Sequence, residues 1–304
     1  MAIVLISCNQ KGQPQKFSFN ENSQGVEVVE DGHTVFFYQR ESKSLDGRFV
    51  CNNYIHPLYS LTGDTLTEEF PADHPYHRGI FWAWHQMFVG GESVGDGWFM
   101  SDVEQEVTNV ESSQTKKKGQ LKINAQWKSS LFENKKPFLA EETYIAIHPR
   151  QNNYRIIDFS ISLKALVPDV EIGGMNDEKG YGGFCARLSD QKKLTFTSVG
   201  GKIVPQLLQV EAGPWMDFSG QHGLNGEISG VTLFCHPETP NYPAPWILRN
   251  QTSMQNCVYP GRNRVTVPMD KPLRLYYRLV VHDGSVQNVN IKSLMQDYEE
   301  ISFR

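Results

Sequence analysis

Residues 70–87 read FPADHPYHRGIFWAWHQM and gather His74, His77, His85, Asp73 and Arg78 among Phe70, Tyr76, Phe81, Trp82 and Trp84. An imidazole takes or gives a proton near neutral pH, or ligates a metal. A guanidinium offers a planar fork to oxyanions, and flat aromatic faces suit the apolar faces of sugar rings. The mixture predicts a site in which His77 and His74 move protons while Arg78, Trp82 and His85 hold a substrate.

The same three imidazoles, His74, His77 and His85, would suffice for a zinc or copper ion with one open position. Pro75 stands between the first two, so the helical His pair of metalloproteases is absent, and no cysteine lies nearby. No metal is therefore the expectation. A His-ligated oxidoreductase stays open as an alternative.

Other segments carry candidate ligand-binding groups. Gly182-Gly183 precedes a short strand ending in Arg187, without the Lys-Ser/Thr of a phosphate loop. Asp217 lies between Trp215 and Phe218, where a carboxylate can act as a base or hold sugar hydroxyls, or can merely cap a turn. His236-Pro237 and the proline-stiffened stretch 241–249 lead to Trp246 and Arg249, which read either as a ligand wall or as core. In 273–282, Leu273, Leu275, Tyr277, Leu279 and Val281 share one face of a strand. Arg274, Tyr276, Arg278, Val280 and His282 share the other. That second face is either solvent-facing or the floor of a polar groove, and its lack of Lys, Glu and Ser favours the groove.

These groups need a scaffold, and strand signals dominate. Runs at 26–29 and 34–38 flank Asp31-Gly32, a hairpin signal because both residues accept positive φ. A second hairpin is expected around Gly63-Asp64. Further strands are expected at 105–110, 122–129, 140–147, 154–166, 184–188, 231–236 and 273–282, and a helix over 291–302. The pattern predicts an all-β fold, one large antiparallel β-sandwich over 17–304. The net charge of −5 argues against nucleic acid as a partner. No apolar run approaches the roughly 18 residues of a membrane span.

The N-terminus resembles a bacterial lipobox, Leu5-Ile6-Ser7-Cys8, with Cys8 as the lipidated residue and 1–16 as signal remnant and tether. The apolar run before Cys8 is short and carries no basic residue, so a longer precursor is expected. A buried N-terminal strand is the alternative. The lipid reading places the protein in the periplasm or on the outer-membrane surface, touching membrane only through its anchor.

Taken in order, several pieces resemble the PmoA-type bacterial domain of unknown function. They are DHPYHRGIFW, the segment ending at Arg187, Trp215-x-Asp217-x-Ser219-Gly220, His236-Pro237 with Pro245-Trp246-x-x-Arg249, and Tyr277-Arg278 with His282-Asp283-Gly284. The "methane oxygenase" label of that family belongs to a membrane-embedded subunit, and this chain shows no span. The resemblance implies a supersandwich like that of galactose mutarotases, and carbohydrate chemistry. His74-Pro75-Tyr76 is similar to the His-x-Tyr of those enzymes, whereas their C-terminal catalytic Glu has no counterpart here. The expectation is a lipoprotein acting on an acidic or oxidised sugar as hydrolase, lyase or epimerase. The main alternative is a non-catalytic glycan binder stacking sugars on Trp82, Trp84, Trp215 and Trp246.

Overall fold

The computed structural model describes residues 16–189, 192–222, 226–250 and 254–303. Cys8 and nearly all of the 1–16 tether lie outside the described residues. Among those described, no helix is long and apolar enough to cross a membrane.

Two large antiparallel sheets form the framework. The eight-stranded sheet runs, edge to edge, Phe17–Glu21, Gly25–Glu30, His33–Gln39, Tyr54–Leu58, Ile80–Trp84, Gly182–Arg187, Met254–Val258 and Trp246–Ile247. The nine-stranded sheet runs Val103–Gln114, Gly119–Ser129, Leu139–Ile147, Tyr154–Ala165, Leu273–Asp283, Glu227–Cys235, Trp215–His222, Lys192–Ser198 and Gly201–Ile203. The fold is the expected all-β sandwich. Asp31 and Gly32 both take positive φ in the first hairpin, as its sequence requires.

Alternation along the strands decides what enters the core. In Gly119–Ser129, buried Leu121, Ile123, Ala125 and Trp127 alternate with half-buried polar residues. One apolar cluster joins Trp82, Trp84 and Phe184 of the first sheet to Trp127, Phe159, Phe218 and Tyr277 of the second. The buried carboxylate of Glu141 sits against it. Glu141 Oε1 accepts from Trp82 Nε1 (2.9 Å), Asn53 Nδ2 (3.0 Å) and Thr143 Oγ1 (2.9 Å), and Oε2 accepts from Trp127 Nε1 (2.9 Å). Burial raises its pKa against those four donors. The group ties one sheet to the other.

In Ile80–Trp84 every residue is buried, because both faces are covered. Ile80, Trp82 and Trp84 enter the inter-sheet core. Phe81 and Ala83 face outward, where Cys51, Tyr54, Trp98, Cys185 and Met254 join them in a separate cluster. That outer cluster is the floor of the candidate site.

The C-terminal helix spans Ile291–Glu299, capped by the Asn290 side chain accepting from Ser293 N. Its Leu294, Met295 and Tyr298 pack with Phe234 and Val280 on the outer face of the nine-stranded sheet. This corrects one expectation. Leu275, Tyr277, Leu279 and Val281 do face the core, but the opposite face is no open groove over Arg278 and His282. The helix covers Arg278, which donates to Asp158 at 2.6 and 3.0 Å with its guanidinium 4.3 Å from the Tyr298 ring centre, and His282 is buried against Asp217 at 2.8 Å.

Candidate functional site

The chain leaves the eight-stranded sheet at His85 and enters a four-stranded sheet through Gln86–Val89. The loop 70–78 comes back over the outer cluster from the other side. Between them lies a cavity of about 290 Å³. His74, His77 and His85 line it, with Tyr76, Trp98, Phe99 and Tyr181 as aromatic walls. Lys179 and Arg249 supply the only formal charges among the lining side chains, apart from the imidazoles.

Each imidazole has a defined partner. His74 donates from Nδ1 to Asp73 Oδ2 at 2.7 Å, and His85 donates from Nδ1 to Asp96 Oδ2 at 2.8 Å. Both rings therefore present Nε2 as their remaining acceptor when neutral. Asp96 also accepts from the backbone of Trp98 (2.8 Å) and Phe99 (2.9 Å), so one carboxylate orients His85 and shapes the turn that forms the wall. His85 stacks on Trp98 with 5.0 Å between ring centres.

His77 differs. Its Nδ1 lies 3.3 Å from Arg187 Nη1, which can only donate, so the neutral ring carries its proton on Nε2. Burial, then the adjacent Arg187, push its pKa down to about 2. The ring stacks on His74 with 4.9 Å between centres. With Nδ1 engaged by Arg187, the neutral ring is left with its Nε2–H as a hydrogen-bond donor.

Arg187 holds this loop to the sheet. Along Gly182–Arg187, Phe184 and Ala186 enter the core, which sends Cys185 and Arg187 outward. Arg187 donates to Glu68 Oε2 at 2.9 and 3.1 Å and to Asp73 Oδ1 at 2.8 Å. Burial would raise the Asp73 pKa, but the hydrogen bonds from His74 and Arg187 outweigh it and hold it at about 2. Arg78 lies below the cavity, 1 % exposed, donating to the carbonyls of Tyr76 and Trp98 (both 3.2 Å) and lying over Phe81. No carboxylate among the described residues pairs with it, so its charge is uncompensated at short range.

The far wall comes from distant segments. Asp177 Oδ1 accepts from the backbone of Lys179 (2.9 Å) and Gly180 (3.0 Å), and Gln209 holds the Lys179 carbonyl at 2.7 Å. Arg249 donates to the carbonyls of Gln206 and Leu207, both at 2.9 Å, and lies 5.4 Å from the Tyr181 ring centre.

The structure thus brings together His74, His77, His85 and Arg249, with Arg187 behind and Arg78 beneath. It does not bring the other expected residues there. Asp217 is fully buried on the outer face of the nine-stranded sheet, accepting from Ser219 Oγ (2.6 Å), Thr232 Oγ1 (2.9 Å) and His282 Nε2 (2.8 Å). Arg278 and His236 lie under the C-terminal helix, His236 Nε2 bonding the Tyr298 carbonyl at 2.9 Å. Trp215 packs in that same helix cluster. Trp82, Trp84 and Trp246 are core residues whose indole N–H groups bond Glu141, Tyr259 O and Gly213 O. None of these four tryptophans is a stacking platform in this cavity. Sequence reasoning does not find Trp98, Phe99, Lys179 and Tyr181; the one nearby signal is the Gly182-Gly183 pair that follows Tyr181.

The donor set does not suit a three-imidazole metal site. A ligating His commonly donates its second N–H to a carboxylate or carbonyl, which His74 and His85 do and His77 does not. Among the described residues, no group of three or more His, Cys, Asp or Glu side chains is arranged to hold a metal ion.

A family of unknown function, DUF6807, matches residues 25–296. The chain belongs to that family. The match spans both large sheets except the edge strand Phe17–Glu21, the cavity and most of the C-terminal helix, so this DUF6807 member carries its site inside the family region. No curated protein matches the chain.

Proposed function

We propose that the cavity binds a small carbohydrate carrying an anionic group and performs proton transfer on it. The carrying observation is the composition of its lining: three imidazoles, one lysine, one arginine, aromatic walls and, among the described residues, no carboxylate. Asp-oriented imidazoles are the usual form of a positioned acid–base group. Lys179 and Arg249, backed by buried Arg78, favour a carboxylate-bearing ligand over a neutral one. Half-buried Tyr76, Phe99 and Tyr181 offer ring faces for the apolar side of a sugar. The volume suits one sugar ring rather than a chain.

The large antiparallel sandwich supports kinship with galactose-mutarotase-like supersandwiches, and the Cys8 motif supports a lipid-anchored place in the cell envelope. Neither is needed for the chemistry of the cavity.

Isothermal titration with galacturonate, glucuronate and their neutral parent sugars tests the reading. Acidic sugars should bind and neutral ones should bind at least tenfold more weakly, with Arg249→Met and Lys179→Met each removing about 1–2 kcal/mol of affinity. Equal binding of acidic and neutral sugars, or none of either, would refute it.

A further inference from the structure

Resting on that reading, we infer that the reaction is epimerisation at the carbon bearing the sugar carboxylate, by two imidazoles, rather than glycoside hydrolysis. Glycosidases commonly use a pair of carboxyl groups flanking the scissile bond. Among the described residues the lining contains none. The nearby Asp73, Asp96 and Glu68 are engaged with His74, His85 and Arg187.

What the cavity does contain fits removal of a proton beside a carboxylate. His74 and His85 each anchor Nδ1 on an aspartate, leaving Nε2 to act on a ligand. They come from different elements, the 70–78 loop and the end of Ile80–Trp84. Tyr76 and Phe99 line the same cavity, and their rings meet edge to face at 4.5 Å. Tyr76 is 5.7 Å from the His74 ring and Phe99 is 4.8 Å from the His85 ring, centre to centre. Two bases that line one cavity from different segments can address two sides of one carbon.

The step balances without any co-reactant. Neutral His74 takes the proton through Nε2, and the C–H electron pair moves into the carboxylate to give an enediolate. Lys179 and Arg249 carry its charge, and the fixed Nε2–H of His77 is a neutral donor to an enediolate oxygen. Protonated His85 then delivers its proton to the same carbon from the other side, forming the inverted C–H bond. Exchange with water resets both rings, and the reverse reaction exchanges their roles.

The test is incubation in heavy water with D-glucuronate, D-galacturonate and L-iduronate, read by NMR and mass, beside titration of the same sugars. Wild-type protein should place one deuterium at the carbon bearing the carboxylate of a sugar that binds. His74→Gln should lose exchange from one epimer on the order of 10²-fold or more and keep it from the other, and His85→Gln should do the reverse. Binding without deuterium uptake would overturn the inference and leave the binding reading intact. Failure of every acidic sugar to bind would overturn both. Equal loss from both epimers in each variant, with circular dichroism showing native fold, would sink the two-base assignment.

Discussion

Arg187 Nη1 points at Nδ1 of His77 across 3.3 Å, and the same guanidinium also holds Glu68 and Asp73. One side chain on a strand therefore fixes the tautomer of one histidine and, through Asp73, the orientation of another. Arg187 is itself 4 % exposed on its side chain, so these bonds form away from most of the solvent.

The first expectation concerns His77. Nitrogen NMR should show its ring as the Nε2–H tautomer, unchanged from about pH 8 to about pH 4. Arg187→Met should free the ring to change tautomer or titrate. The variant should also lose about 2 kcal/mol in urea unfolding, below the full cost of breaking a buried pair because Glu68 and Asp73 are about one-third exposed. Wild-type His77 titrating near 6.5 would contradict the arrangement.

Acid stability follows from two histidines. Burial pushes His77 down to about 2 and His222 down to about 4, whereas both sit near 6.5 when unfolded. Between about pH 6.5 and 4 the unfolded chain binds protons that the folded chain does not, so stability falls as pH falls through this window. Each group contributes a slope of up to about 1.4 kcal/mol per pH unit. Replacing His77 by Asn and His222 by Leu together should flatten the urea-midpoint profile there. An unchanged profile would show that other groups carry the acid response.

Asp217 supplies the contrast with the cavity. Its carboxylate accepts from Ser219, Thr232 and His282 with no exposure. Asp217→Asn would turn an N–H₂ group toward hydroxyl and imidazole donors, and should cost about 2–4 kcal/mol of stability. Affinity for galacturonate in the folded fraction should not change. A stable variant that lost binding would return Asp217 to the functional site.

How far the sequence reveals this follows from what each signal encodes. The hairpin at Asp31-Gly32 is local turn chemistry, and it forms where expected. Strand period correctly sends Leu275, Tyr277, Leu279 and Val281 inward. Period says nothing about what covers the other face, so Arg278 and His282 read as a groove floor until the helix at Ile291–Glu299 is seen over that face. His74, His77 and His85 converge because twelve consecutive residues carry them. Lys179, Tyr181 and Arg249 join only through strand order, which no local pattern encodes. Trp82 and Trp84 misled because an aromatic residue in an all-apolar strand serves packing as readily as sugar stacking.

The walls of the cavity are drawn from segments as far apart in the chain as His74 and Met254, with the Lys179 turn between. Occupancy is thus conditional on these distant segments having folded together. A bound sugar acid would protect every segment at once by mass action, and a proteolytic fragment ending before Arg249 would have no complete receptor to offer.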